Sequence, residues 1–137
     1  MMSNISTIAL SGMNAATRRL DVSASNVANV MTTGALPDAD GTVPAGAPQA
    51  YDPLEVVQTA SAGGGVQTSV TAAKPSTIAV SDPQAPFANQ NGLVAAPNVD
   101  LAQELVGQML ASYSFAANAH VMKADNRMTE TLLDINV

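Results

Sequence analysis

The stretch LDVSASNVANVMTTG (residues 20–34) decides how this chain is read. Leu20, Ala24, Val27 and Met31 recur at helical spacing, yet Ser23, Ser25, Asn26 and Asn29 interrupt them. Such short polar side chains compete for nearby backbone groups and weaken an isolated helix. A helix that carries so many of them has a use for their polar groups elsewhere. What those groups face is the question.

Extended toward the N-terminus, the pattern forms a seam of Ser6, Leu10, Met13, Thr17, Leu20, Ala24, Val27 and Met31, stepping alternately by four and three. This is a heptad-like repeat. A second, rotated set comprises Ile5, Ile8, Gly12, Ala15 and Val22. The spacing predicts a helix over about residues 4–31, roughly 42 Å long at 1.5 Å per residue. Gly34 is placed to end it near the C-cap, where glycine tolerates left-handed geometry.

Toward the C-terminus all eight prolines lie between Pro37 and Pro97, leaving both ends free of proline. Proline interrupts helices, so the chain divides into an N-terminal helix (1–34), an irregular middle (35–98) and a C-terminal helix (99–137). The last helix, over about residues 101–134, starts at Asp100 as N-cap, with Gln103 placed as in a capping box. One of its seams is Leu101, Leu105, Gln108, Ser112, Phe115, Ala119, Met122, Asn126, Thr129 and Leu133. Another is Val106, Leu110, Tyr113, Ala117, Ala124, Met128 and Leu132. A two-helix hairpin in water needs one apolar stripe per helix. Two per helix point to partners on more than one side, or else to slack in an alanine-rich pattern. In the middle, LEVVQT (54–59) and VQTSVT (66–71) read as strands joined through SAGGG (61–65), an irregular β-hairpin. TIAV (77–80) is a further extended piece, and PDADGTVPAGAPQ (37–49) has little to bury. The fold class is mainly α: N- and C-terminal helices paired as a coiled-coil-like unit around a loop and β-hairpin segment.

Composition narrows the function. The 137 residues include two Tyr, two Phe and no Trp, so the apolar 47% is mostly small or aliphatic. The net charge is −6, and the five basic residues (Arg18, Arg19, Lys74, Lys123 and Arg127) are scattered. Nucleic-acid binding needs a basic stripe, and docking on an anionic bilayer needs one too; neither is expected. No apolar run approaches the roughly 20 residues of a membrane span, so no direct membrane insertion is expected. Without cysteine there are no disulfides or thiolate metal sites. The stretch MMSNISTIALSGM has no basic n-region and no unbroken apolar core, so no cleavable secretion signal is expected.

No constellation of catalytic residues stands out in the sequence. Gly63-Gly64-Gly65 lacks the Lys-Ser/Thr of a phosphate loop. His120 is the sole histidine, and its helix neighbours offer no convergent metal ligands. No nucleophile elbow supports a Ser–His–Asp arrangement with Asp125, and the carboxylates are dispersed. The methionines read as adaptable packing. No catalytic, cofactor-binding or metal residue is assigned, and the expectation is that the chain is not an enzyme.

Three stretches resemble a known family. SASNVANVMTTG (residues 23–34) resembles the A-x-N-[LI]-A-N-x-x-T-x-G signature of bacterial flagellar axial proteins, through Ala24, Asn26, Val27, Ala28, Asn29, Thr32 or Thr33, and Gly34. NGLVAAPNVD (91–100) is similar to a segment of the C-type proximal rod proteins of the flagellar basal body, through Asn91, Gly92, Val94, Pro97, Asn98, Val99 and Asp100. SYSFAANAHVM (112–122) adds Ser112, Ser114, Ala117, Asn118, Val121 and Met122, with Phe115 where that family usually has Tyr. The chain departs from the family at Asp52-Pro53-Leu54-Glu55, where a basic stretch is common, and at Tyr113, Ala116 and Asp125.

The resemblance implies a structural subunit of the basal-body rod, a hollow drive shaft crossing the periplasm. It implies helical assembly with further copies of itself, with other rod proteins, and with adjoining proteins at the membrane-ring base and distal rod. It also implies export through the flagellar apparatus without a cleavable signal. Interface contacts are expected at Leu10, Met13, Leu20, Leu105, Phe115 and Met122 on the seams. Further contacts are expected at the motif residues Ala24, Asn26, Val27, Asn29, Gly34, Asn91, Gly92, Pro97, Asn98, Val99, Asp100 and Asn118. Ser23, Ser25, Asn26 and Asn29 are expected to hydrogen-bond between helices or to the adjoining loop, fixing register; the plain alternative is solvated residues at a helix end. A helical-hairpin adaptor, secreted or cytosolic and binding a single partner, is the alternative function. A small hydrolase has no constellation behind it.

Overall fold

The computed structural model describes residues 4–135. Its elements, in order, are α1 (Asn4–Asn29), β1 (Leu54–Ala60), β2 (Val66–Ala72), β3 (Thr77–Ser81), β4 (Leu93–Pro97) and α2 (Leu101–Asp134). β1 and β2 form an antiparallel hairpin with Leu54 opposite Ala72 and Ala60 opposite Val66. β3 and β4 form a second antiparallel pair, Thr77 opposite Pro97 and Ser81 opposite Leu93. Helices dominate, and the two small sheets occupy the middle of the chain.

α2 begins where its cap predicts. Asp100 is extended (φ −91°, ψ 105°), and its Oδ1 accepts from the Gln103 N–H at 3.0 Å. This satisfies one of the helix's orphan donors, and Glu104 in the first turn faces the positive end of the helix dipole.

α1 stops at Asn29, two residues earlier than the spacing predicts. The Asn29 carbonyl accepts from both the N–H of Thr32 at 3.0 Å and its Oγ1 at 2.7 Å, which closes a turn and sends the chain toward β4. Gly34 is not a left-handed cap: it is absent from the positive-φ glycines. It pairs with Ala95 through two backbone bonds of 2.9 Å, and a Cβ on it would overlap the backbone of Pro48, Gln49 and Ala50. Close approach, not handedness, requires glycine here.

The helices run antiparallel. Ser6 lies against Asp125, Gly12 against Asn118, and Ser23 against Glu104 and Gln108. The residues of α1 buried in the fold are Ser6, Ala9, Ala15, Ala16, Val22, Ser23 and Asn26. The seam that closes the pair passes through Ala9, Gly12, Ala16, Ser23 and Asn26, one residue before Leu10, Met13, Thr17, Ala24 and Val27; Ser6 of the first predicted seam and Ala15 and Val22 of the second set are buried with it. One residue is a rotation of about 100°. Small side chains let the two backbones come close: a Cβ on Gly12 would lie 2.6 Å from Asn118 Oδ1. Among the described residues the buried apolar side chains are alanines apart from Val22, Val94 and two prolines, Pro53 and Pro97, and Val94 is the one large side chain fully enclosed.

The hairpin lies along α1, held at both ends by side chains. Asn26 grips Leu54 at its base, and Ser11 Oγ accepts from the Val66 N–H at 3.1 Å at its tip. Gly65, with φ +81°, brings the turn down onto Ser11.

Candidate assembly interface

Asn26 is 2% exposed and joins three segments distant in sequence. Its Nδ2 donates to the Leu54 carbonyl at 2.9 Å and to Glu104 Oε1 at 2.7 Å. Its Oδ1 accepts from the Leu54 N–H at 2.9 Å and from the Tyr51 hydroxyl at 3.1 Å. Both donors and both acceptor sites of the amide are used. Because the Tyr51 proton goes to Asn26, Ser25 Oγ is the donor in its 3.0 Å contact with Tyr51. Ser23 Oγ donates to the Glu104 carbonyl at 3.3 Å and accepts from Gln108 Nε2 at 3.1 Å. Three of the four polar residues thus face the partner helix or the adjoining loop within one molecule. Asn29 does not: its Nδ2 donates to the Ser25 carbonyl at 2.9 Å, within its own helix.

The remaining pairing contacts are also polar or small. Ser6 Oγ donates to the buried Asp125 Oδ2 at 2.5 Å, so the departure at Asp125 is matched by a hydroxyl. Asn118 Nδ2 returns to the Ser114 carbonyl at 2.8 Å, and its amide fills the space above Gly12.

The motif before α2 builds the approach to that helix. Asn89 Oδ1 accepts from the N–H groups of Asn91 and Leu93, both at 2.9 Å. Gly92 has φ +71° and packs against Pro83. Asn98 Nδ2 donates to the Pro75 carbonyl at 3.0 Å. Pro97 is buried and Val99 half-buried, while Asn91, Asn98 and Asp100 are exposed.

The large apolar side chains lie outside. Leu10, Leu20, Leu105 and Phe115 are exposed, Met31 is 88% exposed and Tyr113 70%; Met13, Val27 and Met122 are half-buried and Ala24 is exposed. Ala16, Thr17, Leu20, Ala111, Ser112 and Phe115 line one groove of about 230 Å³ between the helices. Val106, Met109, Leu110 and Tyr113 form an exposed ridge on α2, and Met128, Leu132 and Leu133 continue exposed toward its end. Fully burying one such side chain is worth about 1.5–3 kcal/mol, a stabilisation these exposed residues do not contribute within the single molecule. Among the described residues no group of three or more His, Cys, Asp or Glu could hold a metal, and no helix is long and apolar enough to cross a membrane.

Tyr51 and Glu104 are the partners of Asn26 that sequence reasoning missed, whereas Gln108 stood on a predicted seam of α2. Glu104 had a local signal as an acidic residue in a first helical turn, but nothing in the sequence points from it to Asn26.

Two family models match the chain: "Flagella basal body rod protein" over residues 7–35 and "Flagellar basal body rod FlgEFG protein C-terminal" over residues 90–135. The first spans most of α1 with Gly34, and the second runs from the motif before α2 to the end of that helix. The chain is 36% identical over 126 residues to the flagellar basal-body rod protein FlgC of Salmonella typhimurium, covering 91% of this chain and 90% of that one. The FlgC of Escherichia coli O157:H7 gives the same identity and coverage. The FlgC of Buchnera aphidicola is 34% identical over 134 residues, covering 97% of this chain and 96% of its own.

Proposed function

The chain belongs to the FlgC family of flagellar basal-body rod proteins, and from its geometry we propose how it serves there. It is a structural subunit of the rod that assembles with other basal-body rod proteins. In our reading the polar, small-residue seam closes the subunit, and the outward stripes at Leu10, Leu20, Leu105 and Phe115, with the ridge at Val106, Leu110 and Tyr113, meet its neighbours. One observation carries this: the buried apolar residues are mostly alanine, while the leucines and aromatics of the two helices are exposed. Groove and ridge lie on different faces, and a contact between unlike faces extends an array instead of closing a dimer.

The finer reading follows. The subunit reaches the periplasm through the flagellar export apparatus, contacts further copies of itself and the proteins at the ring base and distal rod, and performs no catalysis. A chain with few large side chains and no cysteine suits threading through a narrow channel. The test is a deletion strain complemented with a tagged copy. Restored swimming, basal bodies with complete rods by electron microscopy, and the tag in purified basal bodies are expected. A tag found only in the cytosol or free in the medium, with rods complete without it, refutes the assignment and favours the single-partner adaptor.

Two further outcomes are expected. The purified subunit should be weakly helical when dilute and gain helix with concentration, because its folded state buries little apolar surface. Circular dichroism across a concentration series checks this; high helicity with a sharp, concentration-independent melt contradicts it. Replacing residues 38–46 by a two-residue turn should leave swimming within about twofold of wild type. The Ala35 N–H already donates to the Pro48 carbonyl at 2.7 Å, which holds the loop's ends together, and loop length has a modest entropic effect. Swarm diameter in soft agar is the readout, and paralysis would show that the loop makes an essential contact.

A further inference from the structure

We propose that Glu104 is a positioning residue that makes docking of the β1–β2 hairpin conditional on the correct register of α1 against α2. Its importance for assembly rests on the reading of the chain as a rod subunit; the coupling itself does not.

A carboxylate only accepts hydrogen bonds. By taking one from Asn26 at 2.7 Å, Glu104 fixes which end of that amide turns toward α2. With Nδ2 held there, Oδ1 is left to accept from the Leu54 N–H while Nδ2 also reaches the Leu54 carbonyl. The amide thereby presents a donor and an acceptor to the first residue of β1, as a neighbouring strand does. A flipped amide sets Oδ1 against the carboxylate and reverses both contacts with Leu54. The Glu104 backbone adds a second register mark, because its carbonyl accepts from Ser23 Oγ at 3.3 Å. Sliding α2 by one residue turns Glu104 away by about 100° and leaves the amide free to turn.

Packing adds little to these bonds and to the Ser11 contact at the tip. No residue of β1 or β2 is fully buried. A cleft of about 420 Å³, lined in part by Val22, Asn26, Leu54, Val56 and Glu104, opens beside its base, and one of about 210 Å³ lies at its tip.

The test compares E104A, E104Q, N26A and the N26A/E104A double variant by hydrogen exchange of the purified full-length subunit, at a concentration where its helices are protected. In E104A and N26A the amides of β1 and β2 should exchange about tenfold faster than in wild type, with α1 and α2 unchanged. The double variant should be no faster than either single one, because both remove the same link. E104Q keeps the accepting oxygen and should stay within twofold of wild type. Hairpin exchange unchanged in E104A, additive effects in the double variant, E104Q as fast as E104A, or helices loosening together with the hairpin each overturn the proposal. If the free subunit shows no helix protection at any concentration, the same four variants are ranked by the amount incorporated into purified basal bodies. E104Q near wild type, with the other three equally depleted about tenfold, is then expected, and any other ranking overturns the coupling. Wild-type subunit missing from basal bodies would instead refute the rod assignment, and together with an unprotected free subunit it would overturn the coupling as well.

Discussion

Replacing Asn26 by leucine abolishes rod assembly while leaving the chain exportable and no less helical. Leucine is the better helix former by a few tenths of a kcal/mol, so helix propensity opposes the defect. Against it stand the groups the amide serves: the Leu54 N–H and carbonyl, the Tyr51 hydroxyl and the Glu104 carboxylate. Each polar group left buried without a partner costs about 1–3 kcal/mol; undocking the hairpin base returns the Leu54 and Tyr51 groups to water, so the loss falls on that junction and not on the helix pair. The same change at Asn29, whose Nδ2 bonds only within its own helix, should be mild. A secretion blot, a swimming assay and electron microscopy of basal bodies check both variants. Complete rods in the Asn26→Leu strain, or equal defects at the two sites, would sink this account.

The second large effect is expected at Gly34. In Gly34→Ala the new methyl meets the backbone of Pro48, Gln49 and Ala50, which cannot rotate aside as a side chain does. Either the 48–50 segment is expelled, uncovering Ala35 and Ala50, or the paired bonds to Ala95 break. Both outcomes dismantle the junction of α1 with β4, and a loss of about 3 kcal/mol or more places the variant among the severe class of single substitutions. Gly12→Ala is the graded comparison. Its methyl lies 2.6 Å from Asn118 Oδ1, a side-chain atom with some freedom to shift, so a smaller defect is expected. Gly63→Ala, with nothing within 4 Å, is the neutral control. Subunit recovered in basal bodies by immunoblot should fall in the order Gly63, Gly12, Gly34. Normal incorporation of Gly34→Ala would be inconsistent with the close approach described.

What the sequence made legible was local. The Asp100 cap, the α2 span, the two hairpin strands and the proline-bounded middle all follow from signals within a few residues of one another. The phase of the helix pair was legible only in part: Gly12, Ala15 and Val22 stood on the second set, but hydrophobic periodicity gives weight to leucine and methionine, and Ala9 and Ala16 carried no signal. The polarity around Asn26 was legible as a demand for partners. Their identities were not, since Tyr51, Leu54 and Glu104 lie 25 to 78 residues away. Gly34 was marked as special for the wrong reason: backbone crossing by a segment fourteen to sixteen positions on leaves no trace in the adjacent sequence.

The separation of small residues inside from large ones outside has a consequence for how such a molecule changes over time. Substituting Tyr113 or Leu132, which are 70% and 67% exposed, leaves the small-residue seam between α1 and α2 intact, so choice of neighbour drifts without endangering the subunit's own shape. Substituting Ala9, Gly12 or Ala16 does the reverse. Folding and affiliation are written in separate sets of positions on the same two helices, and a lineage of related subunits can diversify its joints while every member keeps one common frame.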